Sequence, residues 1–134
     1  MNNELALNVV KVFAVVGLMD TLYLIYHKIR GTDVWCPFFP DEWCKKVQYA
    51  PQSKTFGIPN PILGFLMYVV LFTIAFWYSA SALGIAKVVI WIGFAFSMYF
   101  TYVQAFVLNA FCTWCVLSAI NFIAMFIASF YLIP

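Results

Sequence analysis

Apolar positions fill this chain in long runs, and the few polar breaks between them set out the elements. The first run, LALNVVKVFAVVGLMDTLYLIY, covers residues 5–26; Lys11 lies near one end, where its aliphatic stem can snorkel, and Asp20 lies deeper in. It contains an acid and no small-x-small site follows it, so it reads as a retained anchor and not a cleaved leader. The second run, residues 59–79, opens on IPNPILGF, where Asn60 suits an N-cap and Pro61 the first helical position, whose missing N–H costs nothing. Beyond Lys87 no Asp, Glu, Lys or Arg occurs as far as Pro134. About 20 helical residues cross a hydrocarbon core of roughly 30 Å, so that last stretch must cross twice. The break with room on each side is LNAFC, which turns the chain at Asn109 and gives spans at 86–108 and 111–133. Lipid cannot satisfy backbone polar groups, and helices satisfy their own. The expected fold is therefore an all-α integral membrane protein. It is a single domain over residues 1–134, a four-transmembrane-helix bundle with a long capping loop, residues 27–57, between helices 1 and 2.

Composition strengthens this picture: 66% of the residues are hydrophobic and 9% charged, and the mean hydropathy is +0.95. Soluble domains are far less apolar. So sparse a set of charges gives no footing for a nucleic acid, and membrane lipid is the expected surrounding. Counting crossings then fixes relative positions. The loop 27–57 and the Asn109 break share one face, and the turn from Ser79 to Gly84 lies at the other. Cys36 and Cys44 sit in the loop, Cys112 and Cys115 at the start of span 4, so all four cysteines meet at the same membrane face.

The loop is too long for a turn and too short for a domain, the length expected of a functional cap. Its WCPFFPDEWCKK mixes aromatic and charged residues as interfacial chain does. After Pro40, Asp41 and Glu42 followed by Lys45 and Lys46 suit a short helix carrying Cys44, with its dipole met at both ends. Pro37 keeps Cys36 out of helix. In CTWC, an Asn109 cap would put Cys112 in the first turn of span 4, where free N–H groups and the macrodipole favour a thiolate. Cys115 would lie one turn deeper on the same face. An outer reactive sulfur and an inner buried one make an electron step into the membrane, and its acceptor must dissolve in lipid, as a quinone does. The loop pair would be a second dithiol, exchanging with Cys112 through a mixed disulfide.

The span order, the loop cysteines, FGIP before span 2, CTWC opening span 4 and GLMDTLYLIYHK in span 1 together resemble the vitamin K epoxide reductase family. The resemblance implies a four-helix membrane bundle around a quinone of ubiquinone or menaquinone type. It also implies electron transfer from a separate thioredoxin-like redox protein. On that resemblance Cys36 meets the partner, Cys44 shuttles to Cys112, and Cys115 passes electrons to the quinone, so that protein disulfides are made. The chain departs from the family pattern at two places: Ala50 stands where many members have Ser, and Ala119 where several have Tyr. Both changes remove hydrogen-bonding groups from the expected quinone site, which makes reduction of vitamin K quinone or epoxide the alternative and not the leading assignment. A non-enzymatic membrane protein, with structural disulfides or a four-cysteine zinc site, is the other alternative; the wide spacing of Cys36 and Cys44 argues against zinc, and no metal is expected.

Candidate quinone contacts are Phe106, Phe111 and Trp114 as a ring-binding wall, Asp20 as an ionisable group inside a span, and Asn121 as a donor to a carbonyl. Gln104 offers either an interhelical bond or the same service. Basic residues bear on orientation. Lys28, Arg30, Lys45, Lys46 and Lys54 lie on the cysteine side, Lys11 and Lys87 opposite. The positive-inside rule turns the cysteine face to the cytoplasm, whereas the family resemblance implies the extracytoplasmic side.

Overall fold

The computed structural model describes residues 2–132 apart from 56, 78 and 79. Phe56 of FGIP, Ser79 at the second turn and Ile133 at the end of the fourth span lie outside the described residues. Among the described residues the chain is all-α but for one two-stranded pair. Helix α1 runs from Asn3 to Arg30; Asn2 caps it by accepting from the Leu5 N–H, and Gly31 in the left-handed region ends it. The short α2, Asp41–Gln48, follows Pro40 with acids in its first turn and lysines in its last. Strands β1, Lys54–Thr55, and β2, Ile58–Pro59, pair antiparallel across Gly57, whose φ of 80° suits glycine. Helix α3 is Asn60–Phe76, α4 is Ala80–Tyr102, continued as a π-helix over Val103–Leu108, and α5 is Thr113–Ser129.

Two helical stretches, Asn3–Arg30 and Ser81–Leu108, are long and apolar enough to cross a membrane, while α3 and α5 are apolar but shorter. Packing joins α1 to α3 and α5, and α4 to α3 and α5. The core at one end gathers Val10, Ala14, Tyr68, Leu71, Ile90 and Met125. At Gly17 the Tyr68 ring lies so close to α1 that a Cβ would overlap it. A second core, at the other end, gathers Leu24, Val47, Phe100 and Val103 with Cys36, Cys44 and Cys112. Outward faces carry Val12, Met19, Leu22, Ile85, Val88 and Ile127, each well exposed, the pattern of helices whose surroundings are as apolar as their core.

Two boundaries differ from the sequence reading. Asn60 is inside α3, with Pro59 in the cap position, and its amide donates to the Gln52 carbonyl at 3.0 Å instead of capping the helix. Asn109 ends the π-helix in the left-handed region (φ 52°, ψ 40°), its N–H on the Gln104 carbonyl. It does not cap α5. Asparagine tolerates left-handed backbone because its short polar side chain bonds locally, so a lone Asn at a break fits a helix end as well as a helix start. Extended chain follows, and Cys112 itself takes the N-cap position of α5 (φ −97°, ψ 127°).

Candidate functional site

The four cysteines meet where α2 lies over the ends of α1, α4 and α5. Cys36 and Cys44 are joined in a disulfide, and Cys112 and Cys115 are free thiols. Cys44 Sγ, fully buried, lies 3.7 Å from Cys112 Sγ, which is sulfur-to-sulfur contact. Residues 68 apart in sequence are thus in reach of one exchange. Cys36 Sγ lies 3.3 Å from Thr113 Oγ1.

Local hydrogen bonds hold these pieces. Trp114 Nε1 donates to the Trp35 carbonyl at 2.6 Å, and the Trp35 N–H donates to the Tyr23 hydroxyl at 3.0 Å, so α5 and α1 both grip the segment that carries Cys36. Asp33 pairs with Lys45 at 3.4 Å and accepts from the Tyr49 hydroxyl at 3.0 Å, tying that segment to the end of α2. The hydrogen bond to Asp33, which the neutral phenol donates, raises the Tyr49 pKa above the usual tyrosine value. Lys28 Nζ donates to the Gln48 carbonyl at 2.9 Å and meets an orphan acceptor at the C-terminus of α2. On α4, Gln104 accepts from the Cys112 N–H at 3.0 Å and donates to the Phe100 carbonyl at 3.4 Å. The π-helix places Gln104 under Cys112, a position regular winding would shift.

Below Cys112 the helices enclose a cavity of about 430 Å³, within the ~300–1,000 Å³ common for small-molecule sites. Cys115, Asp20, Trp114, Phe96, Phe100 and Met67 are on its wall, and Leu66 and Ile92, 56% and 57% exposed, mark where it reaches the outer surface between α3 and α4. Several wall polar groups are already engaged: Thr21 with the Gly17 carbonyl, Ser118 with Tyr68, Gln104 with Cys112. Asp20 is 3% exposed, and neither carboxyl oxygen has a hydrogen-bond partner among the described residues. Lys28, an imaginable counter-ion, is committed to Gln48.

Of the residues singled out by sequence, the four cysteines, Asp20 and Trp114 are therefore gathered at this site. Phe111 is not on the cavity wall; it packs beneath the cap, its ring 5.9 Å from Phe39 and 6.4 Å from Trp43. Phe106 is 72% exposed and off the cavity wall, its ring tilted against Tyr102 at 5.1 Å. Asn121 is buried but off the wall, where Ser118 and Phe122 take that face of α5. Ala50 and Ala119 are buried and also absent from the wall. Sequence reading missed Gln48 and Thr113. Gln48 was open to discovery as the fourth residue after Cys44 on one helical face; nothing in the sequence alone points Thr113 toward Cys36.

A profile of the vitamin K epoxide reductase family matches residues 8–130, nearly the whole chain. The chain belongs to the vitamin K epoxide reductase family. Over 54 residues, 40% of its length, the chain is 39% identical to the thiol-disulfide oxidoreductase LTO1 of Arabidopsis thaliana. The match covers 14% of that protein's length. Membership in the vitamin K epoxide reductase family and the two long apolar helices together point to a membrane protein.

Proposed function

We propose that this protein is a membrane thiol-disulfide oxidoreductase that accepts electrons from a separate thioredoxin-like protein through Cys36 and Cys44. It passes them through Cys112 and Cys115 to a quinone, and so generates protein disulfides. The observation that carries this reading is the 3.7 Å contact between Cys44 and Cys112 sulfurs, with Cys115 on the wall of an apolar cavity below. Family membership and the relative's name support the thiol-disulfide chemistry.

The exchange balances as follows. A partner dithiol reduces the outer disulfide and leaves oxidised, freeing Cys36 and Cys44. Cys44 attacks Cys112 of an oxidised inner pair and expels Cys115; Cys36 then attacks Cys44 and expels Cys112. The outer disulfide is restored and the inner pair holds two electrons, the arrangement seen here. The cavity residues fit a quinone: an apolar slot that reaches the outer surface between α3 and α4, a thiol on its wall, and in Asp20 a buried carboxyl with no hydrogen-bond partner among the described residues. Bound there, a quinone would supply a sink for two electrons and two protons. Trp114, Phe96 and Phe100 would flank the ring, Asp20 would hold a proton at its carboxyl, and Cys115 would give up its hydrogen as the inner disulfide closes.

In this reading α1, α3, α4 and α5 are the four spans of one membrane domain. Helices α3 and α5 have 17 residues each, which rise about 26 Å, at the short end of the range for spanning helices. The basic residues on the cysteine side favour a cytoplasmic cysteine face. Reporter fusions at the C-terminus test this: an extracytoplasmic signal supports it, and a cytoplasmic one reverses it. The function itself is tested with purified protein, a reduced thioredoxin-like donor, and ubiquinone and menaquinone analogues. Consumption of donor thiols coupled to quinone reduction is expected; no consumption with either analogue refutes the reading. Tight zinc binding by the fully reduced protein that is lost when Cys36 and Cys44 are replaced would instead favour the four-cysteine metal site.

A further inference from the structure

Gln48 is the last residue of α2, one helical turn after Cys44 and on the same face. Its side-chain amide donates to Cys112 Sγ at 3.3 Å and lies 3.8 Å from Cys115 Sγ. Gln104 approaches the same cysteine differently, through its backbone N–H. One glutamine therefore fixes the chain at Cys112, and the other faces the sulfur. Across the site, Thr113 Oγ1 faces Cys36 Sγ at 3.3 Å. The series Cys36, Cys44, Cys112 thus has a donor group at each terminal sulfur.

That arrangement matches where charge moves in thiol-disulfide exchange. When the Cys36 thiolate attacks Cys44 Sγ in a Cys44–Cys112 disulfide, the Cys36–Cys44 bond forms and the Cys44–Cys112 bond breaks. The electron pair leaves on Cys112, which departs as a thiolate, with no net oxidation. Charge begins on one terminal sulfur and ends on the other. A donor fixed at the leaving sulfur acts as an oxyanion-hole donor does, meeting charge where it develops, and a stabilised thiolate leaves faster. We propose that Gln48 is a catalytic residue of this exchange, its amide stabilising the Cys112 thiolate each time the Cys44–Cys112 bond breaks. The proposal rests on the reading that Cys44 and Cys112 exchange.

Gln48 is half-buried at the end of the cap, and the Lys28 bond uses its backbone carbonyl, so Gln48→Met keeps the length and the helix end while removing the donor. In a Cys115→Ala background with the outer disulfide intact, Cys112 is the remaining free thiol. Its ultraviolet thiolate absorbance, taken against a Cys112→Ser/Cys115→Ala control, titrates it alone. Losing a hydrogen bond to a charged group is expected to move the midpoint up by about one pH unit. Gln48→Leu, which likewise lacks the donor, moves it by a similar amount and decides the matter if the Met variant does not fold. In the otherwise unmodified chain, Gln48→Met lowers kcat several-fold and leaves KM for the donor protein unchanged. A midpoint that stays put in both variants overturns the proposal, and so does a shifted midpoint with unchanged kcat. The titration needs no quinone turnover, so failure of the relay, read as no quinone reduction by the unmodified chain, is a separate result.

Discussion

If the Cys44 and Cys112 sulfurs touch in the folded chain, removing their competitors should trap them together. In a Cys36→Ser/Cys115→Ser variant, the remaining thiols face each other at 3.7 Å, and a disulfide of about 2.05 Å requires them to approach by about 1.6 Å. A side-chain rotation with a slight settling of α2 covers that distance. In a disordered chain the same two residues must first find one another. Closing a loop that joins residues 68 apart costs about 4 kcal/mol of chain entropy, or a factor of about a thousand at roughly 1.4 kcal/mol per tenfold. Mild oxidant should therefore crosslink the folded protein in micelles about a thousand times faster than the same variant unfolded in strong denaturant. Quenched time points, digested without reductant and mapped by mass spectrometry, give both rates. Equal rates in the two states, or no Cys44–Cys112 peptide at any time, would refute the contact and with it the relay.

Other expectations follow from the same geometry. Cys115→Ala should abolish quinone reduction while circular dichroism and elution volume stay unchanged; undiminished turnover would remove Cys115 from the path. Gly17→Ala places a methyl into the Tyr68 ring and should cost roughly 1–3 kcal/mol, seen as earlier thermal unfolding, with Gly17→Ala/Tyr68→Leu recovering much of the loss. Tyr23→Phe removes the acceptor for the Trp35 N–H, worth about 1 kcal/mol; a thioredoxin-like donor should then reduce the Cys36–Cys44 disulfide up to about fivefold faster, and a slower rate would mean that Tyr23 serves the docking of the donor.

The long helices were legible because runs of apolar residues, once too long for one crossing, leave few ways to divide the chain. Helix α2 was legible for another reason: a proline, two acids and two lysines mark both ends within eight residues. The path from α4 to α5 was not. One asparagine carries the signature of either boundary, and what decides between them is a π-helix held by Gln104, whose partner is eight residues away and on the next helix. The quinone contacts were read poorly from aromatics for a physical reason. In a chain with 15 phenylalanines, ring type does not distinguish a cavity wall from a lipid-facing surface; only the rotation of each helix does. Asp20 stood out because a lone carboxyl in an apolar span is costly, and that cost is independent of the neighbours. Gln48 stayed hidden because an amide near the surface of a loop helix has no such cost until its target is known.

Cys44 and Gln48 share one face of a single eight-residue helix, and this has a mechanical corollary. Rocking α2 as a rigid lever withdraws the reacting sulfur and its amide donor in the same stroke. On the proposed function, a cap that lifted for a donor protein would leave behind no half-assembled centre in which Cys112 is activated but has nothing to receive it, and stray oxidants would find that thiol in its less reactive form.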